Sequence, residues 1–230
     1  MSEIIGMPWK KGRTASVERS AVPPAQSALL ALLAVAILLS GWGPLYPRNT
    51  WLQLGPCVLL LMAAVPILRR WPLGTASLRN IILFLLLHTL AARWSYSFVP
   101  YDAWARTLIG WSPDEAFGFT RNMFDRLVPF AFGLLAIRPV REIAARHCGL
   151  SPRAALYVAP EFVLAFSAVY EIFEWQLALV IDPADADAYN GQQGDVFDAQ
   201  KDMALAALGA ILGTALTFGN AWSKAKRLSM

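Results

Sequence analysis

The sequence predicts an all-α, polytopic membrane protein: a bundle of six transmembrane helices with both termini in the cytoplasm. Of its 230 residues, 57% are apolar and 16% are charged, whereas soluble domains average about 45–50% apolar and about 25% charged residues. The mean hydropathy of +0.45 points the same way. The two cysteines, Cys57 and Cys148, are too few for a disulfide framework.

Six apolar runs predict the six helices in order. They cover residues 28–39, 51–68, 78–96, 122–137, 154–180 and 196–218. The first run follows a long polar segment and precedes no small-residue cleavage site, so it predicts a retained helix and not a signal peptide. The first two runs are ordinary spans, whereas the other four contain ionisable side chains. A basic cytoplasmic arm (1–24) and a cytoplasmic tail (221–230) are predicted to flank the membrane domain (25–220).

The orientation follows from the positive charges that flank the runs. With both termini inside, 14 Lys and Arg residues lie on the cytoplasmic side and 6 on the outer side, as positively charged cytoplasmic loops require. The outer connections, 97–121 and 181–195, are longer and rich in Trp, Pro, Gly and Asp. Trp104 and Trp111 in the first of them suit an aromatic belt at the membrane interface.

Polar side chains in the last four runs fall at a similar depth. With a rise of about 1.5 Å per helical residue, the ionisable side chains near the outer ends of these runs, but not Glu161, lie in the outer half of the bilayer. The sequence therefore predicts one polar pocket, formed by His88, Tyr96, Asp125, Arg126, Glu171, Glu174, Asp195, Asp198, Lys201 and Asp202.

The sixth run has a face that combines acidic and small residues. Asp195, Asp198 and Asp202 fall within about 60° of one another at 100° per helical residue. The same stripe continues to Gly209 and Gly213, a G-x-x-x-G spacing that is typical of close contact between membrane helices. The acidic stripe is therefore expected to face the bundle and not the lipid.

The pocket has more acids than bases, which leaves several interpretations open. Such a cluster is expensive inside a membrane, and it can take up protons, remain hydrated or bind a divalent metal ion. The candidate metal ligands are Glu171, Glu174, Asp198, Asp202 and His88.

Simpler roles remain open for most of these residues. The two glutamates could instead pair with Arg93, Arg126 or Lys201, and His88 could be a hydrogen-bonded packing residue. Asp195 could cap the sixth helix, with Asp198 favoured by the helix dipole. Asp125 and Arg126 could form a structural ion pair, and Lys201 is expected to pair with an acid.

Four motifs resemble those of the YjdF-like bacterial inner-membrane proteins, a family of unknown function. They are H-x(7)-Y-x-x-V-P (88–100), R-N-x-x-D-R (121–126), Y-E-x-x-E-W (170–175) and G-D-V-x-D-A-Q-K-D-M (194–203). The resemblance covers roughly residues 75–215 and implies a multi-helix protein of the bacterial inner membrane, but no reaction. The chain is a divergent member, because Arg93, Met123 and Pro129 stand where histidines are common in the family.

Three functional hypotheses follow. The first is binding or transport of a cation, a proton or a small cationic solute. The second is a non-catalytic auxiliary subunit of a larger membrane complex, and the third is a membrane-embedded, metal-dependent enzyme acting on a lipid or an outer-face substrate. The sequence contains no G-x-S-x-G, H-E-x-x-H or Walker motif, so no catalytic residue is assigned. Membrane lipids and other membrane-protein subunits are the expected partners, and nucleic acid is not.

Overall fold

The structure, a computed structural model, describes residues 21–228, with the exception of the side chains of 184, 187–188 and 219–228. All regular secondary structure within this range is helical. Its helices are α1 (Pro24–Gly41), α2 (Pro47–Arg70), α3 (Thr75–Arg93), α4 (Tyr101–Ile109), α5 (Pro113–Phe117), α6 (Phe124–Arg146), α7 (Pro152–Ala178), α8 (Pro183–Asn190) and α9 (Asp198–Leu228). Most of the predicted basic arm and the end of the predicted tail lie outside the described residues.

Five of the described helices are long and apolar enough to cross a membrane. They are α1, α2, α3, α7 and the part of α9 from Asp198 to Phe218. This finding confirms a polytopic, helical membrane protein. The long helix α6 is continuous but contains charged residues near both of its ends, and it is not among these five.

Helix ends follow from local sequence. Proline occupies the first turn of α1, α2, α5 and α7, where its missing N–H is not needed. The predicted third run reaches Tyr96, but α3 ends at Arg93 because Ser95 and Tyr96 both adopt left-handed backbone conformations (φ 44° and 58°). The hydroxyl of Ser112 accepts a hydrogen bond from the Glu115 N–H at 3.1 Å and thereby starts α5.

The long helices pack as two groups of three. One group is α1, α2 and α3, and the other is α6, α7 and α9, with α6 packed against α3 to join them. Each group has its own apolar core, which includes Leu33 and Ile82 in the first and Ile137 and Val163 in the second. We call the end of the bundle where α3 and α7 end and α6 and α9 begin the α8 end, because α4, α5 and α8 lie there.

Helices α6 and α9 form the most extensive helix contact in the described structure. A Cβ atom on Gly209 would meet the carbonyl oxygen of Phe130, and one on Gly133 would meet the carbonyl oxygen of Ala206. A Cβ on Gly213 would lie 2.7 Å from the carbonyl oxygen of Leu134. The two backbones are therefore in direct contact along the G-x-x-x-G face, which α6 meets with its own glycine.

At the opposite end of the bundle, a carboxylate from α6 caps α3. Glu142 accepts a hydrogen bond from the backbone N–H of Gly74 at 2.7 Å and another from the hydroxyl of Ser77. A carboxylate at a helix N-terminus satisfies free N–H groups and opposes the helix dipole. This cap fixes the axial position of α3 against α6. It therefore also sets where each residue of α3 lies along the bundle axis.

Candidate functional site

A cavity of about 270 Å³ lies near the α8 end, where the two groups of helices meet. Residues of α2, α3, α6, α7, α8 and α9 contribute to its walls. The apolar side chains that line it are Pro56, Cys57, Leu60, Phe84, Leu85, Val128, Pro129, Phe132 and Phe166. The polar side chains that line it are His88, Tyr96, Asp125, Ser167, Tyr170, Glu171, Glu174, Tyr189, Asn190 and Asp202.

The cavity brings together six of the ten residues that the sequence assigns to a polar pocket. These six are His88, Tyr96, Asp125, Glu171, Glu174 and Asp202. The other four, which are Arg126, Asp195, Asp198 and Lys201, belong to a network of ion pairs beside the cavity. Asp125 and Asp202 belong to both, so the network forms one wall of the cavity.

His88 and Tyr96 form a hydrogen-bonded pair on the α3 side of the cavity. The Nε2 atom of His88 lies 3.1 Å from the carbonyl oxygen of Gln53. A carbonyl oxygen can only accept, so Nε2 carries the proton and Nδ1 accepts the hydrogen bond donated by the Tyr96 hydroxyl. The left-handed conformation of Tyr96 directs its side chain back along α3 to reach the histidine. Both imidazole nitrogens of a neutral ring are thus engaged.

Arg126 is the centre of the ion-pair network, and its guanidinium is bound by α9 and the residues just before it. It donates to Asp195 at 2.9 Å, to Asp198 at 2.6 Å and to Asp202. It also donates to the main-chain carbonyl of Asp198 at 3.2 Å. The Arg126 and Asp198 side chains are both only 8% exposed. The network therefore ties the start of α6 to the start of α9 through buried, charge-assisted hydrogen bonds.

Two residues that were not assigned to the pocket complete the network. Arg121 binds Asp125 and lies 3.6 Å from Asp195, and Gln193 donates to Asp125 at 3.1 Å. The Arg121 spacing of four residues before Asp125 was a readable signal for this pair. Gln193 had no such signal, because its position depends on the path of the segment between α8 and α9.

Asp195 lies just outside the membrane helix and takes part in several of these contacts. Its carboxylate accepts from Lys201 at 2.7 Å and from the Phe197 backbone N–H at 3.1 Å. The pKa of Asp195 is lowered, and the hydrogen bond from Lys201 makes the largest contribution to this shift. Asp195 therefore accepts a backbone N–H just before α9 begins at Asp198 and also binds the network.

Glu171 and Glu174 stand apart from this network. Neither makes an ion pair within the described structure, because the cations that were considered as partners are engaged elsewhere. Arg126 and Lys201 bind the aspartates, and Arg93 donates to the carbonyl of Leu39 at 2.6 Å. Both glutamates line the cavity. Two carboxyl groups without cationic partners thus face the same cavity.

The described residues include no group of three His, Cys, Asp or Glu side chains that could hold a metal ion. Three of the candidate ligands are engaged in other contacts. Asp198 and Asp202 bind Arg126, and His88 uses both ring nitrogens. A metal ion at this site would have to break several of these contacts, and metal binding stays a prediction.

The helix α8 covers the cavity, and Tyr189 and Asn190 at its end line the space beneath it. Asp185 on α8 pairs with Arg48 of α2 at 2.6 Å, and the Ser97 hydroxyl donates to the Gly191 carbonyl at 2.9 Å. The side-chain oxygen of Asn190 is buried and has no hydrogen-bond donor in the described structure. The cover therefore leaves an acceptor available next to the two glutamates.

Comparison with known proteins identifies the chain at the family level. The family model described as "Predicted membrane protein (DUF2238)" matches residues 25–224. "Inner membrane protein YjdF" of Escherichia coli (strain K12) is 31% identical over 168 residues, which cover 72% of this chain and 76% of that protein. No solved structure matches the chain. These findings confirm the YjdF-like resemblance and the location in the bacterial inner membrane.

Proposed function

We propose that this chain, which belongs to the family of membrane proteins described as DUF2238, binds a small organic cation in the cavity beneath α8. One observation carries the proposal: Glu171 and Glu174 face the cavity and have no cationic partner in the described structure. A positively charged ligand would supply the charge that they lack. The proposed ligand is an amine or a quaternary ammonium group.

The balance of charge around the cavity supports a cationic ligand. In the adjacent network, Asp125, Asp195, Asp198 and Asp202 share three cations, so that network is already close to neutral. The glutamates add carboxyl groups that this network does not compensate. Charged groups inside a membrane are costly unless they are paired, so either a proton or a bound cation is needed here.

The lining of the cavity favours an organic cation. Phe84, Phe132 and Phe166 contribute aromatic rings, and three tyrosines line the same space. Aromatic faces attract ammonium groups through their π electrons, and aromatic side chains commonly surround quaternary ammonium ligands. A volume of about 270 Å³ is just below the roughly 300–1,000 Å³ of small-molecule pockets. The ligand is therefore small.

We further propose that α6 is a sixth span and that both termini are cytoplasmic, so that the α8 end faces the periplasm. Arg69, Arg70, Arg138, Arg141 and Arg153 gather at the opposite end, which supports a cytoplasmic position for it. Between the cavity and that end, α6, α7 and α9 pack an apolar core that includes Ile137, Ala159 and Val163. This packing favours a site that binds its ligand from the periplasmic side. It does not favour a transport path that continues through the membrane.

The proposal is tested by calorimetric titration of the detergent-purified protein with choline and with its neutral carbon isostere, 3,3-dimethyl-1-butanol. We expect the wild type to bind choline and not the isostere. A Glu171→Gln/Glu174→Gln variant should weaken choline binding at least about tenfold, which corresponds to about 1.4 kcal/mol of lost charge attraction. Glu161→Gln is the matched control, because Glu161 is an exposed glutamate on the same helix and does not line the cavity.

Equal heats with choline and its isostere would overturn the proposal, as would unchanged choline binding by the double variant. Titration of the same samples with Mg²⁺ and Zn²⁺ distinguishes the metal hypothesis. A metal response that disappears in the double variant, without a choline response, would favour a metal site over an organic-cation site.

A further inference from the structure

A second concave surface lies outside the cavity, on the face where α1 and α3 pack together. It is a groove of about 420 Å³ at the α8 end, formed by residues of α1, α3 and the caps that follow them. Its floor is apolar and includes Ala36, Leu39, Leu86 and Leu90. Arg93 is the one charged residue among those that line it.

Arg93 differs from the other described cations at this end of the bundle. Arg48, Arg106, Arg121, Arg126 and Lys201 all pair with carboxylates. Arg93 makes no ion pair within the described structure. It donates to the main-chain carbonyls of Leu39 and Trp42, and its guanidinium lies 5.2 Å from the ring centroid of Trp94. Its positive charge is therefore held in place but not neutralised.

The groove has the shape and polarity of a lipid site. Leu86, Leu90 and Arg93 lie along one face of α3 (i, i+4, i+7), so an apolar surface about 10 Å long leads up to the guanidinium. Trp42 and Trp94 flank the charged end, and tryptophan is enriched at membrane–water interfaces. An acyl chain would lie along the leucines while the headgroup reached Arg93.

We propose that this groove binds a membrane phospholipid, with the phosphate of its headgroup at Arg93 and an acyl chain against α1 and α3. Arginine is well suited to phosphate because its planar guanidinium presents several N–H donors in a fixed geometry. The charge of the phosphate complements the unpaired charge of Arg93. The site is separate from the cavity beneath α8 and does not depend on the function proposed for it.

The test is native mass spectrometry of the detergent-purified protein with added phosphatidylglycerol or with diacylglycerol of the same acyl chains, which lacks the phosphate. We expect wild type to retain one phosphatidylglycerol in preference to diacylglycerol. Arg93→Gln should reduce this retention about tenfold, the equivalent of one hydrogen bond between charged groups. Arg48→Gln, at an arginine that already pairs with Asp185 at the same end, should leave retention unchanged.

Two further variants keep the result interpretable if Arg93→Gln loosens the end of α1. Arg93→Lys retains the charge and should bind at an intermediate level. Ala36→Phe leaves Arg93 intact but fills the apolar floor, and it should also reduce retention. Equal retention of the two lipids, or full retention by both Arg93→Gln and Ala36→Phe, would overturn the proposal. Competition by inorganic phosphate alone would show a free-phosphate site and would overturn it too.

Discussion

Arg126 shows what a single buried cation does in this protein. Three aspartates and one main-chain carbonyl accept hydrogen bonds from its guanidinium. The Arg126 side chain is only 8% exposed. Isolated ions in such surroundings lose more hydration energy than a single partner returns, so a buried cation needs several acceptors. The arginine at the start of α6 therefore holds together carboxylates that would otherwise repel one another.

We expect Arg126→Gln to destabilise the protein by about 3–5 kcal/mol, the usual cost of removing one partner from a buried ion pair. The substitution leaves the carboxylates of Asp198 and Asp202 close together without their cation. The free energy of unfolding is measured by SDS titration in mixed micelles. Arg48→Gln is the matched control, because that side chain is 75% exposed and exposed pairs contribute about 0–1 kcal/mol.

A double-mutant cycle separates the ion pairs from simple loss of packing at the same site. Asp202→Asn removes one of the charges left behind, so it should restore part of the stability that Arg126→Gln loses. Two additive losses would contradict a direct interaction between Arg126 and Asp202.

At the scale of residues, helical rise predicts that the polar groups of four helices share a depth. His88 on α3 and Glu171 on α7 line one cavity, as their distances from the helix ends indicated. The pairing of acids with bases could not be predicted, because it depends on how α9 is rotated against α6. One consequence is that Arg126 binds three aspartates and neither glutamate. The acidic stripe and the G-x-x-x-G spacing indicated which face of α9 meets the bundle, but a single sequence does not fix that rotation closely enough to pair individual side chains.

At the scale of elements, the contact between α6 and α9 depends on residues without side chains. Gly133 and Gly209 face the backbone of the opposite helix, so any Cβ atom would displace one helix from the other. Membrane helices gain from such close approach because lipid offers no hydrophobic drive for their association. The Arg126 network lies at one end of the same helix pair. Separation of the two backbones would therefore also weaken the ion pairs.

We expect Gly209→Ala and Gly133→Ala each to destabilise the protein by at least about 1–3 kcal/mol, which is typical of overpacking. Gly55→Ala in α2 is the control, because nothing lies within 4 Å of its added Cβ and its backbone conformation is ordinary. That change should be neutral or should stabilise by about 0.4–1 kcal/mol. SDS titration of the three variants is the measurement. A loss in Gly55→Ala equal to the others would argue against close packing as the cause.

The connection between α3 and α6 contains a second polar network around Asp102. Its carboxylate accepts from Arg106 at 2.6 Å, from the Ser112 hydroxyl at 2.7 Å and from the Asp114 backbone N–H at 3.0 Å. The hydrogen bond from Arg106 is the main cause that lowers the pKa of Asp102 to about 2. Because folding lowers this pKa, the stabilisation from the network is fully present above a pH of about 3.9, the usual carboxyl pKa. It is lost as the pH falls through about 2.

We therefore expect the segment from Tyr101 to Phe119 to resist pepsin at pH 4 and to be cleaved as the pH approaches 2. Asp102→Asn removes the anionic acceptor, so this variant should be cleaved at both pH values. Glu115→Gln is the control, because the Glu115 side chain is 72% exposed and only extends the network. Cleavage sites are identified by mass spectrometry of the fragments. Identical pH profiles for wild type and Asp102→Asn would refute this assignment.

The long helices could be predicted from apolar runs alone, whereas α4, α5 and α8 could not. These short helices rest on local caps, such as Ser112 at α5, and on ion pairs such as Arg48 with Asp185 at α8. Hydrophobic periodicity says little about segments of five to nine residues. The apolar run also does not predict the C-terminal part of α6, because Arg138, Arg141 and Glu142 end the run whereas the helix continues to Arg146.

At the scale of the whole molecule, the two ends of the bundle carry charge in different ways. At the α8 end, most cations are paired with aspartates or glutamates. At the opposite end, Arg69, Arg70, Arg141 and Arg153 greatly outnumber Glu142 and make no ion pairs in the described structure. An excess of Lys and Arg in short loops favours the cytoplasmic side during insertion. This asymmetry leads to a defined expectation for the orientation of the protein.

The orientation can be measured through the native Cys148, an exposed thiol in the connection between α6 and α7, since Cys57 is buried. In spheroplasts, a membrane-impermeant maleimide should leave wild type unlabelled until the membrane is permeabilised. A Cys148→Ser/Ala116→Cys variant moves the thiol to an exposed position within α5, so it should be labelled in intact spheroplasts. The reverse pattern would place the α8 end in the cytoplasm, and the cavity would then have to receive its ligand from inside the cell.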